Sequence, residues 1–244
     1  MLYKIASERL SAIDCLGIKL DRILIFVDRV SEIDTLRDLS FHHFEFSIRN
    51  LEQGTVSHIF FFKNITLELI EIENRELATR YSLQSGVDFV SRTQWRSNRA
   101  TPFGFVLHYA VSQKSKSRRR CYHAQHQFNS SQPSLKINFS RNNLEQLQEP
   151  ICYIVPEPFI AENLLDNTSI IQQKLFANRS TMSKLTDIQI TLKRSISLTK
   201  TVSFISALNI VEIKRGNFTQ LELKFCNNQG HSTSLDSIPV TFYY

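Results

Sequence analysis

The chain of 244 residues is short of several things. It has four cysteines, at 15, 121, 152 and 226, with no Cys-x-x-Cys pair. That spacing fits neither a zinc knuckle nor a disulfide framework, and reduced cytosolic thiols are the simplest reading. Six glycines and six prolines argue against collagen-like repeats and long flexible linkers. No Gly-x-Ser-x-Gly elbow, glycine-rich phosphate loop or dinucleotide fingerprint occurs, so nucleophilic hydrolysis and nucleotide chemistry have little support. The longest apolar runs, such as residues 23–27, hold about five residues, far from the roughly 20 that span a bilayer. The first twenty residues are broken by Glu8, Arg9 and Asp14 and do not read as a signal peptide. A cytoplasmic protein without membrane contact is the expectation.

Phenylalanine, by contrast, is abundant at 18 and favours strands together with isoleucine and valine. The formal charge of +6 is mild. Much of it comes from residues 114–120, KSKSRRR, which can touch phosphate but reads first as a solvated loop. Consecutive Phe60, Phe61 and Phe62 point to both sides of a strand, so they make no one-face base-stacking platform. Nucleic acid is an unexpected partner. A small molecule is the expected one, and a homo-oligomer stays open.

After a short lead-in over residues 1–19, residues 20–27 read as a buried strand. Val30, Ile33, Leu36 and Leu39 mark a short helix face, and Ser31 with Asp34 resembles a capping box. Residues 43–48, 56–62 and 65–72 read as three strands, the last two joined at Lys63-Asn64. The order is β-α-β-β-β. Residues 185–193, 197–208, 209–214, 218–226 and 238–244 give a similar order about 165 residues later. The chain therefore divides into an N-terminal module at 18–75, a middle region at 76–182 and a C-terminal module at 183–244. The middle carries strands near 101–111, 120–128 and 149–156, helical stretches at 143–148 and 161–176, and a loop at 129–134. It is a third, degenerate module or an elaboration covering the sheets. The expected fold class is α+β, with repeated βαβββ modules forming curved, mostly antiparallel sheets around a cavity.

Glu68 is the conspicuous acid of a hydrophobic strand, on one face with Thr66, Ile70 and Ile72. An acid there needs a partner, which makes it a candidate catalytic residue. Glu71 falls on the opposite face. His58 alternates with Phe60 and Phe62 and is a candidate ligand-binding residue or proton carrier.

Leu20-Asp21-Arg22-Ile23-Leu24-Ile25 resembles the first strand of the vicinal oxygen chelate superfamily, specifically its glyoxalase-like domain proteins. Gly54-Thr55 followed by 56–62, and Thr66-Leu67-Glu68-Leu69, resemble the family's third and fourth strands. The resemblance covers the first 75 residues best. It implies paired modules around a divalent metal that binds two neighbouring substrate oxygens, with Glu68 at a ligand position. The first-strand histidine of the family is Arg22 here, and a guanidinium has no lone pair to give a metal. The corresponding C-terminal position falls near Asp187, and residues 238–244 offer no acid. No complete metal site can be assembled from matched positions, so the metal-residue set is empty and the cofactor stays unknown. The reading is a glyoxalase-like protein that binds a small ligand, an anion being the class Arg22 suits, through Arg22, His58 and Glu68. The alternatives are a metal-dependent lyase, isomerase or dioxygenase of the same superfamily, and a non-catalytic scaffold. Catalysis is undecided among them.

Overall fold

Seven consecutive residues of the first strand, from Asp21 to Val27, are buried. A strand apolar on both faces must be covered on both, which puts it at the centre of a layered structure. The computed structural model describes residues 17–28, 30–38, 43–109, 124–125, 138–155, 181–226, 230–235 and 238–244. The basic run 114–120, the loop 129–134, the helical stretch 161–176 and most of the lead-in lie outside these residues.

The elements of the first half are β1 (Ile18–Val27), α1 (Val30–Arg37), β2 (Phe44–Asn50), β3 (Thr55–Phe61), β4 (Thr66–Ile72), α2 (Arg75–Ser85), α3 (Phe89–Thr93) and α4 (Trp95–Asn98). Next come β5 (Phe103–Tyr109), β6 (Ala124–Gln125), β7 (Asn138–Phe139), α5 (Arg141–Leu144) and β8 (Ile151–Val155). The last part holds β9 (Leu185–Lys193), α6 (Lys200–Ala207), β10 (Glu212–Gly216), β11 (Gln220–Phe225), β12 (Ser232–Ser234) and β13 (Val240–Tyr243). The fold is α+β with two mixed sheets. One has eight strands in the order β2-β3-β4-β1-β5-β8-β7-β6, the other five in the order β10-β9-β11-β13-β12.

The eight-stranded sheet is two like quartets joined side by side. In the first, β1 pairs in parallel with β4, then antiparallel pairing runs through β3 to β2. In the second, β5 pairs in parallel with β8, then antiparallel pairing runs through β7 to β6. The quartets meet where β1 runs antiparallel to β5. The repeat of the first module's strand order thus falls in the middle of the chain. The C-terminal strands follow the expected order along the sequence but pair otherwise, which corrects that expectation. There β9 lies directly beside both β10 and β11. β10 is short and largely exposed, which suits an edge, whereas β13 is buried and takes an interior place.

One face of the large sheet carries Ile23, Ile25, Leu67, Leu69, Phe103 and Phe105. They share a core with Ile33 and Leu36 of α1, Val202 and Ile205 of α6, and the inner face of the second sheet. Asn64 ties the layers further: its side chain donates to Leu185 O and accepts from Leu185 N, both at 2.9 Å. Glu149, fully buried, accepts from Thr199 N at 2.5 Å and Thr199 Oγ1 at 2.6 Å. Thr199 is the N-cap of α6, so one carboxylate of the first sheet holds the helix of the second.

The other face carries Leu24, Phe26, Ile70, Val106 and Ile151, and is roofed by Tyr81 of α2, Val87 and Phe89 of α3. α2 is well bounded. Asn74 caps it by accepting from Leu77 N, and Gly86, at φ 77°, closes it through Ser82 O. Its start is seated on Gly54, at φ 65°, whose carbonyl accepts from Glu73 N and Asn74 N. A Cβ at Gly54 would lie 2.8 Å from Leu77 Cβ, so only glycine lets the helix approach there. Below the roof, Arg92 is buried with Nη1 donating to Thr101 O and Glu149 O, at 2.9 and 3.0 Å. Burial lowers its pKa to about 10.

Candidate functional site

Strand alternation decides what faces the roof. Glu68 stands opposite Leu24 on β1 and Ile59 on β3, and Ser57 stands opposite Ile70. These residues therefore share one face with Arg22. They line a cavity of about 280 Å³ between the sheet and the roof. Tyr81, Val87 and Phe89 close it from above, Ile48, Asn50 and Gln53 form its β2 side, and Ile151 and Tyr153 its β8 side. The volume falls just below the roughly 300–1,000 Å³ usual for small-molecule sites, which suits a small ligand.

Arg22 and Glu68 meet on the floor. Arg22 Nε lies 3.3 Å from Glu68 Oε2, with the side chains 7% and 13% exposed. Ser57 Oγ donates to Glu68 Oε1 at 2.7 Å. Asp21, its side chain 3% exposed, comes within 3.4 Å of the same Arg22 Nε. Neighbouring residues of a regular strand point apart, so this needs an irregularity. β1 has one: Leu20 pairs with Leu107 and Arg22 with Val106, leaving Asp21 as an extra residue in the ladder. Burial works against the Arg22 charge, but the fields of Glu68, Tyr153 and Asp21 outweigh it and hold its pKa above the ordinary value. Burial pushes the Tyr153 phenol up, with Glu68 adding to the rise and Arg22 opposing it. Burial also pushes Tyr81 up to about 12, while its hydroxyl accepts from Gln53 Nε2 at 3.3 Å. Both phenols keep their protons at neutral pH.

His58 does not join this group. It points to the opposite face, where Nδ1 is 3.0 Å from Ser47 Oγ and Nε2 is 3.5 Å from Glu71 Oε2. Three adjacent strands, β2, β3 and β4, supply that row. His58→Ala is therefore expected to leave ligand binding in the cavity unchanged and to cost about 1 kcal/mol of stability. Titration of the variant with any cavity ligand checks the first part, and a tenfold loss of affinity would return His58 to the site.

Tyr153 is the member that the sequence reading missed. Its place follows from the sheet's symmetry. A two-fold rotation about the Ile23–Phe105 pair carries β1 onto β5 and β4 onto β8. Leu24 pairs with Glu68, and its counterpart Val106 pairs with Tyr153. Glu68 thus corresponds to Tyr153, and Arg22 to Gly104. Asp187, the counterpart expected from the sequence, is on the other sheet and pairs with Lys224 at 2.9 Å. A side chain at Gly104 has no room, since its Cβ would be 2.6 Å from Ile151 Cγ2.

These four positions test the metal that the resemblance implies. They hold a cation, a carboxylate, a glycine and a protonated phenol. The guanidinium already faces both nearby carboxylates, Glu68 and Asp21. Among the described residues, no group of three or more His, Cys, Asp or Glu is arranged to hold an ion. The residues present do not fit a divalent metal.

Among solved structures, the chain is similar to a hypothetical protein from Staphylococcus aureus. The alignment covers 92% of this chain and 98% of that one, at 14% identity and a TM-score of 0.54. The likeness spans nearly the whole length and shows a shared fold. A methylmalonyl-CoA epimerase from Mycobacterium tuberculosis aligns over 57% of this chain and 87% of its own, at 11% identity and a TM-score of 0.31. At that level neither fold nor function transfers. No family model and no curated protein matches the chain. No helix among the described residues is long and apolar enough to cross a membrane.

Proposed function

We propose that the protein binds a small organic molecule in the cavity between the eight-stranded sheet and the roof of α2 and α3. The observation that carries this reading is the buried Arg22–Glu68 pair, supported by Ser57, on the floor of a partly open cavity. A buried ion pair is a weak way to stabilise a fold, because desolvation offsets most of its attraction. Placed on a cavity wall, it is well suited to fixing the orientation of a bound molecule. Most of the remaining wall is apolar, with a few convergent polar groups, which is the usual composition of a ligand site. Glu68, the candidate catalytic residue of the sequence, enters this reading as a hydrogen-bond acceptor beside the Ser57 hydroxyl. Arg22 sets its direction.

Ligand-observed NMR with a fragment collection tests the proposal. Ile48 stands on the half-buried β2 side of the cavity, so Ile48→Trp fills it from the edge without touching the central strands. Fragments that bind the natural chain are expected to lose their signal with Ile48→Trp, at an unchanged thermal midpoint. Fragments that bind both chains equally would place binding elsewhere and overturn the proposal, as would a collection in which none binds.

A further inference from the structure

We infer that the ligand of this cavity is a molecule carrying both a hydrogen-bond donor and an acceptor on a partly apolar body, and not an anion. The inference rests on the binding reading above and deepens it.

Arg22 alone, as the sequence presents it, suits a carboxylate or phosphate. The fold changes that by bringing Asp21 to 3.4 Å and Glu68 to 3.3 Å of the same nitrogen. All three side chains are largely buried, so water screens their fields poorly. An anion approaching Arg22 meets two carboxylates that more than compensate it. It cannot pair with the guanidinium without displacing a buried carboxylate, which leaves an uncompensated charge behind.

Among the described residues that line the cavity, Arg22 and Glu68 alone are formally charged, and Asp21 acts from beside it. The remaining polar groups are two carboxamides, Asn50 and Gln53, and three hydroxyls, Ser57, Tyr81 and Tyr153. Carboxamides donate and accept, and protonated phenols donate to a carbonyl or hydroxyl oxygen. Glu68 accepts. This is a surface that recognises an amide, a hydroxy ketone or a polyol by paired hydrogen bonds. The aliphatic wall of Leu24, Ile59, Ile70 and Ile151 receives the rest of the molecule.

Two probes of one shape separate the charge classes: benzamide and benzoate. Their dissociation constants are measured on the full chain by ligand-observed NMR at neutral pH, with the Ile48→Trp chain as control. Benzamide is expected to bind at least tenfold more tightly than benzoate, and to lose binding in Ile48→Trp. Glu68→Gln removes one of the two compensating charges and is expected to raise benzoate affinity tenfold or more. Should Glu68→Gln fail to fold, Asp21→Asn serves the same purpose. If benzoate binds the natural chain as well as benzamide does, and Ile48→Trp abolishes it, the inference falls and the cavity reading stands. A benzoate affinity unchanged by the neutralising substitution also overturns the inference. If no probe binds, or binding survives Ile48→Trp, the cavity reading falls and takes the inference with it.

Discussion

Glu149→Ala is expected to destabilise the protein by about 3–5 kcal/mol, from the loss of two short hydrogen bonds to a charged group at roughly 1.5–3 kcal/mol each. The residue is fully buried and sits in the turn that leads from α5 to β8. Its two oxygens take Thr199 N, Thr199 Oγ1 and, at 3.4 Å, Asn143 Nδ2. Truncation removes the acceptor of the Thr199 N–H and Oγ1–H at a half-buried cap, while Asn143 Nδ2 keeps its bond to Pro150 O at 2.9 Å, and it frees the first turn of α6. Because α6 contributes Val202 and Ile205 to the core between the two sheets, the loss spreads to the second sheet. Guanidinium denaturation measures it. A double-mutant cycle with Thr199→Ala separates cap from packing: the two changes are expected to be non-additive, since both remove the Thr199 Oγ1–Glu149 hydrogen bond. A loss below about 1 kcal/mol would mean that the apolar core and the Asn64–Leu185 hydrogen bonds join the sheets without Glu149.

Arg22→Met is expected to cost a similar amount, about 3–5 kcal/mol, for the opposite reason. It removes the cation and leaves Asp21 and Glu68 facing the same buried space. The companion change Glu68→Leu is expected to recover about half of that loss, because apolar replacement of a buried pair is often neutral while Asp21 keeps its share of the penalty. The double variant should then fold well and bind none of the ligands of the natural chain. Chemical denaturation and ligand titration on the same two variants read the two effects apart. If Arg22→Met alone is as stable as the natural chain, the pair carries no desolvation burden and the physical case for a ligand-orienting role collapses.

The floor of the site was legible in the sequence, and the lid was not. Glu68 stood out because an acid in a run of Leu and Ile has few explanations, and strand parity alone put it on the face away from Glu71. The same parity put His58 with Phe60 and Phe62, yet grouping it with Glu68 ignored that the two lie on opposite faces. Tyr153 carried no signal: a tyrosine in Ile151–Val155 looks like any core aromatic. The roof helix was hidden because only Ala78, Tyr81 and Ser85 of α2 are buried, too thin an apolar stripe to show a period. Its caps, Asn74 and Gly86, were the readable cue. The two-fold sheet was hidden for another reason. Order along the chain says nothing of which strands pair, and β6 and β7 are only two residues each in the second quartet.

The extra residue at Asp21 has a consequence for how the strand finds its alignment. Residues 23–27 are apolar without a break, and both sides of β1 are covered. A slip of one residue would exchange one buried set for another, so hydrophobic alternation gives the strand little to choose by. What distinguishes the native pairing is the interruption itself: two residues of β1 spanned by one step of β5, with an acid and a base turned to the same side. The polar floor of the cavity therefore also acts as the mark by which the central strand measures its position. Deleting Asp21 would remove that mark before it removed any contact of the core.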